Sequence, residues 1–177
     1  MNHIKINATE SLVIILIFIS LSCASLAREN LYYDALREIK YGNTDFAFMK
    51  LNNYLRECPD SIHTQKIRFA IAEYYFQIQD HHDAIYRLTE YIKDYQEDKS
   101  TVFAWALLYK IISDYNKEPL LIEKIKEKFF AKSLFLIFSD SKVKHYRSIL
   151  NNTYKIAEYV NKIEISKNDE LLLKITP

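Results

Sequence analysis

Few side chains in this sequence stand at spacings that could do chemistry. His81-His82-Asp83 sets two imidazoles beside a carboxylate, residue types that hold transition metals. Neighbouring residues of a helix or turn point apart, and no further Cys, His or carboxylate stands at ligand spacing. A polar turn between helices is the plainer reading. Ser139 and Lys142 have the spacing of a serine–lysine pair, but no nucleophile elbow or oxyanion glycine accompanies them. A phosphate-cradling loop needs several glycines, and the chain has one, Gly42. Asn151-Asn152-Thr153 matches a glycosylation acceptor and serves equally as a turn. Aromatics interleave with lysines in Lys126–Lys132 (KEKFFAK), yet core packing accounts for them without nucleic-acid stacking. These residues predict no enzyme, no cofactor, no metal and no nucleic-acid partner.

The elements that position these residues begin after an export signal. Leu12–Leu21 reads LVIILIFISL, an apolar run too short to span a bilayer, which takes ~20 residues. It fits the h-region of a secretory signal, with Lys5 and the α-amino group as a weak positive n-region. Three outcomes stay open. Ser20-Leu21-Ser22-Cys23 has the form of a lipobox that would acylate Cys23; Ser25-Leu26-Ala27 suits ordinary signal peptidase; and the run could remain as an uncleaved anchor. All three place the rest of the chain outside the cytosol. With Cys23 removed or acylated, Cys58 is the remaining thiol, a small apolar residue at a helix end.

Composition points to helix. One glycine and three prolines in 177 residues fall well below the usual ~7% and ~5%, so the chain has few breakers. Lysine and arginine number 24 against 23 acidic residues, which provides no net field for nucleic acid. The sign changes along the chain: Arg28–Pro119 holds 12 basic and 15 acidic residues, and Leu120–Pro177 holds 11 and 7. A basic C-terminal third is read as a solvated surface rather than a lipid-binding one.

The central stretch is Leu31–Pro59. Ala35 and Ala47 stand twelve apart with Gly42 between them, and Leu51, Tyr54 and Pro59 follow. These offsets are the skeleton of a tetratricopeptide (TPR) helical hairpin, whose helices cross closely at small residues. A shift of 37 residues recovers the pattern. Tyr32, Ala35, Ile39, Ala47, Leu51, Tyr54 and Leu55 become Phe69, Ala72, Phe76, Ala84, Leu88, Tyr91 and Ile92. Gln79 replaces Gly42. Thr101–Tyr115 begins a third, eroded unit, capped by Ser100 or Thr101, and Pro119 opens a further helix to Phe130.

The tail changes character. Lys162–Thr176 forms two β-type runs around Lys167-Asn168-Asp169, and Ser133–Phe138 and Lys144–Leu150 read similarly. Residues 142–163 also fit a helical face. The expected fold is mainly α, a TPR-like antiparallel helical-repeat superhelix closed by a small C-terminal β meander or hairpin. Residues 1–27 are the signal, 28–131 the repeats and 132–177 the β-rich cap.

Ala72, Tyr75, Asp80, Ala84, Ile85, Leu88, Tyr91 and Ile92, behind an export signal ending near Cys23, carry a family likeness. The chain resembles TPR-containing bacterial envelope proteins, namely the BamD-like outer-membrane assembly lipoproteins and the YbgF-like periplasmic proteins. The resemblance implies a non-catalytic adaptor or scaffold, in the periplasm or anchored to the outer membrane, that binds an envelope or outer-membrane protein. It further implies a groove lined by the first helix of each hairpin, with Tyr32, Leu36 and Ile39 in one and Phe69, Glu73 and Phe76 in the next. A rival expectation is a structural subunit of a larger envelope complex, docked through the β tail.

Overall fold

The computed structural model describes residues 29–115 and 143–175, with Glu123 and Glu127 in helical conformation. The expected signal, Cys23, the Pro119–Phe130 helix as a whole and the Ser133–Phe138 run lie outside the described residues. The chain is mainly helical, with a four-stranded antiparallel sheet near its C-terminus. It divides into two compact units, Met1–Pro59 and Asp60–Pro177.

In the first unit, α1 (29–40) and α2 (Thr44–Glu57) form a hairpin. Ala35 and Ala47 are fully buried, as close helix crossing demands, and the Tyr32 and Tyr54 rings meet at 5.7 Å. Lys50 joins the helices through an ion pair to Glu38 at 2.6 Å, and Asn43 donates to the same carboxylate.

The second unit holds α3 (Thr64–Gln77), α4 (His81–Asp94) and α5 (Thr101–Tyr115). The sheet strands follow as β1 (Val143–Arg147), β2 (Thr153–Tyr159), β3 (Lys162–Lys167) and β4 (Glu170–Ile175), paired in that order. Helix α4 is amphipathic, burying Ala84, Leu88, Tyr91 and Ile92 on one stripe. By contrast, α3 buries Phe69 through Glu73 without a break, more than one full turn, so it needs neighbours on more than one side. At the start of α5 the Ser100 carbonyl accepts from the Phe103 and Ala104 amides. Its hydroxyl turns away to the Tyr91 phenol and the Asp98 carboxylate.

The 37-residue repeat extends to the backbone of the turns. Gly42 has φ +79°, and Gln79 takes the same left-handed conformation at φ +60°. The Asn43 amide donates to the Glu38 carbonyl at 2.9 Å, and 37 residues later the Asp80 amide donates to the Tyr75 carbonyl at 3.0 Å. These six-to-one bonds, each following a left-handed residue, satisfy the last carbonyls of α1 and α3. Asp80 then caps α4 by accepting from the Asp83 amide at 3.2 Å. The helix ends match as well, with Cys58 bonded to Tyr54 and Tyr95 to Tyr91 through the backbone.

Alternation sets the sheet. Tyr154 and Ile156 of β2 face inward and pair with Lys167 and Ile165 of β3. A register shift at Ile165/Ser166 lets β4 bury both Leu172 and Leu173. Asn168 and Asp169 both take positive φ, the two-residue turn that matches strand twist. The expected hairpin there is present, and within 142–163, which also fitted a helical face, Val143–Arg147 and Thr153–Tyr159 form paired strands of this sheet.

One cluster joins Phe69, Leu88, Phe103, Leu107, Tyr154, Ile165 and Leu173, so α3, α4, α5 and the sheet share a core. The β tail thus belongs to the second compact unit, and the division between the units falls at Pro59/Asp60. A left-handed backbone costs an ordinary L-residue about 1 kcal/mol. Nothing lies within 4 Å of a Cβ placed on Gly42, so conformation alone decides substitutions there. Gly42→Ala is expected to lower stability by about 1 kcal/mol, and Gln79→Gly to raise it by a few tenths to about 1 kcal/mol. Urea unfolding midpoints of the two variants against the parent check both signs.

Candidate functional site

The polar centre of the second unit is Glu73, midway along α3 and fully buried. Its equivalent one repeat earlier is Leu36, so a carboxyl occupies a site the repeat fills with an aliphatic residue. The Tyr154 phenol of β2 donates to Glu73 Oε1 at 2.6 Å, and the Asn152 amide donates to the same oxygen at 3.1 Å. Asn152 Oδ1 in turn accepts from Gln77 Nε2 of α3 at 3.1 Å and from Asn168 Nδ2 at 2.8 Å. Asn168 closes the network by accepting from the Thr153 amide and donating its own to the Thr153 carbonyl. Two loops of the sheet are thereby tied to α3 and to each other.

Burial pushes the Glu73 carboxyl up to about 7, opposed by hydrogen bonding from Tyr154, by Ser148, by the charge of Lys167 and by Asn152. The Ser148 hydroxyl faces the carboxyl, but among the described residues neither it nor Glu73 Oε2 makes a hydrogen bond of ordinary geometry. Lys167 is itself largely enclosed, and burial lowers its pKa. Its ammonium stands 5.2 Å from the centre of the Phe76 ring.

Around this centre lies a wall of rings. Phe69 meets Tyr91, Tyr146 and Tyr154 at 5.3, 5.8 and 5.7 Å, and Phe103 stacks on Tyr146 at 5.3 Å. Burial pushes the Tyr91 phenol up to about 12, and those of Tyr146 and Tyr154 well above their ordinary range. All three stay neutral across physiological pH. The wall therefore acts as packing with hydrogen-bonding tips, not as a source of proton chemistry.

The six residues expected to line one groove separate into two environments. In the first hairpin Tyr32 is buried against Tyr33 and Tyr54, while Leu36 and Ile39 remain half-buried. In the second, the sheet covers the expected positions. Phe69 packs beneath Tyr146 and Tyr154, Glu73 is bonded to Tyr154 and Asn152, and Phe76 lies under Lys167. Phe69, Glu73 and Phe76, expected to face an open groove, thus lie along an internal seam that β2 and β3 cover.

The residues this site adds are Asn152, Tyr154, Ser148 and Lys167. A signal for Lys167 was present in the alternation Ile163, Ile165, Lys167, which places the lysine on the inward face. For Glu73 the signal was its mismatch with Leu36.

The two adjacent histidines diverge as expected of neighbours. His81 lies against Tyr115 with ring centres 3.9 Å apart, whereas His82 is exposed beside Asp83. Among the described residues no group of His, Cys, Asp and Glu is arranged to hold a metal, and no helix is long and apolar enough to cross a membrane. Lys93–Asp98 line a shallow surface depression, and none of the unpartnered buried polar atoms among the described residues belongs to its lining. No protein-family model, curated protein or solved structure matches the chain.

Tyr154→Phe removes one of the two donors to Glu73 Oε1 without emptying the aromatic wall. It is expected to cost about 1–3 kcal/mol, the range for a buried hydrogen bond to a carboxyl, as read from urea unfolding.

Proposed function

We propose that the chain is an exported, non-catalytic adaptor built on TPR-like helical hairpins, which binds a protein partner of the bacterial envelope. The observation that carries this reading is the 37-residue recurrence of side-chain pattern and turn hydrogen bonds between α1–α2 and α3–α4. Tandem hairpins of this kind expose a face on their first helices that can receive a segment of another protein. Among the described residues the first hairpin is the one that keeps this face accessible, with Leu36 and Ile39 half-exposed beside buried Tyr32. Export rests on the Leu12–Leu21 run, with Cys23 as the lipid attachment point if the lipobox is used.

A second reading takes the chain as a structural subunit of a larger envelope complex, docked through its sheet. Tyr159, Val160 and Leu171 are large apolar residues left exposed there, and they favour it.

Expression in a diderm bacterium with labelled palmitate, beside Cys23→Ala, tests the compartment. Label on the parent alone, in the outer-membrane fraction, is expected for the anchored form. A soluble periplasmic chain beginning at Arg28 would indicate a diffusible adaptor, and retention in the cytosol would overturn the proposal. A photo-crosslinking residue at position 36 is expected to capture an envelope protein, and one at 159 or 160 to capture none. The reverse pattern would establish docking through the sheet.

A further inference from the structure

We propose that Glu73 is a proton-operated latch between α3 and the sheet, fastening the seam when neutral and loosening it when ionised. The inference concerns the fold of the second unit and is independent of the adaptor reading.

Three observations carry it. The carboxyl is completely enclosed, and among the described residues the donors that bond it are neutral, Tyr154 and Asn152 on Oε1. Among the described residues Glu73 makes no salt bridge; the cation on the facing strand, Lys167, sits over the Phe76 ring instead. Finally, Glu73 Oε2 and Ser148 Oγ are both buried without an ordinary partner, and a protonated Oε2 could donate to that hydroxyl. An acid in such a place is satisfied when neutral. As an anion it loses its hydration without gaining a bonded counter-charge.

The groups that face it come from three strands, with Tyr146 on β1, Tyr154 on β2 and Lys167 on β3. From the helices, Tyr91 of α4 and Phe103 of α5 join the same ring cluster. Both strand phenols are held neutral by burial, and Lys167 favours the Glu73 anion only in part, since desolvation still dominates.

The sign follows from proton linkage. Burial pushes the carboxyl from its ordinary 4.5 up to about 7, so the folded state binds the proton more tightly. Stability is therefore greatest below pH 4.5 as far as this group is concerned. This group's contribution falls as pH rises through the interval and is lost above about 7. The separation corresponds to a change of about two orders of magnitude in the folding equilibrium constant. Any state in which the sheet lifts and water reaches Glu73 gains by the same factor.

The test compares the full chain with Glu73→Gln, which keeps the acceptor for Tyr154 and Asn152 and supplies an amide donor for Ser148. Urea midpoints are measured from pH 4.5 to 8.5, with hydrogen exchange at the Glu73 and Tyr154 amides. The parent is expected to lose stability relative to the glutamine variant by about a hundredfold in equilibrium constant across this range. Exchange at both amides should accelerate beyond its intrinsic pH dependence only in the parent. Parallel pH profiles for the two proteins would overturn the latch. If the variant fails to fold, the carbon-13 carboxyl resonance of Glu73 in the parent decides alone. A midpoint near 7 supports the proposal, and one between 4 and 5 refutes it.

Discussion

The second unit depends on enclosing α3. Its buried residues cover more than one turn of helix without interruption, so a single antiparallel partner cannot shield it. Helix α4 takes one side, where Ala72 and Ala84 are both fully buried and admit close approach. The sheet takes the face bearing Phe69 and Glu73. Apolar burial at roughly 25 cal/mol per Å² favours that arrangement strongly, and the polar groups caught in it must then find partners inside. Asn152, Tyr154 and Gln77 meet that demand.

The contrast between the hairpins is chemically specific. At equivalent positions the first carries Leu36 and the second Glu73. Leucine leaves a face that apolar partners can approach. Glutamate with a tyrosine and an asparagine bonded to one oxygen is a lock for one particular partner, here the chain's own sheet. The second hairpin seats the sheet on the face where the first carries half-buried Leu36 and Ile39.

The polar network also gives direction to an otherwise non-directional contact. Rings such as Phe69, Phe103, Tyr146 and Tyr154 could pack in several registers at little cost. The bonds from Gln77 and Asn168 to a single Asn152 oxygen, and from Asn152 onward to Glu73, are compatible with one register of sheet on helix. Buried hydrogen bonds of this kind contribute modest net stability each but penalise every arrangement that leaves them unmade.

What the sequence determined by itself is local and periodic. Small residues at the helix crossings, the glycine turn, the stripe on α4 and the Asn168-Asp169 hairpin follow from patterns within a few turns of chain, where geometry repeats with each residue. Even the turn at Gln79 was legible, through its register with Gly42. The tertiary structure alone decided what covers α3. Glu73 bonds to residues 79 and 81 positions away, and no periodicity links such distant segments, so a charge on a helical face reads as solvent-facing until its partners are in place. The open groove expected at Phe69, Glu73 and Phe76 became a seam for that reason: burial of a carboxyl is a property of the assembled neighbours, not of the helix that carries it.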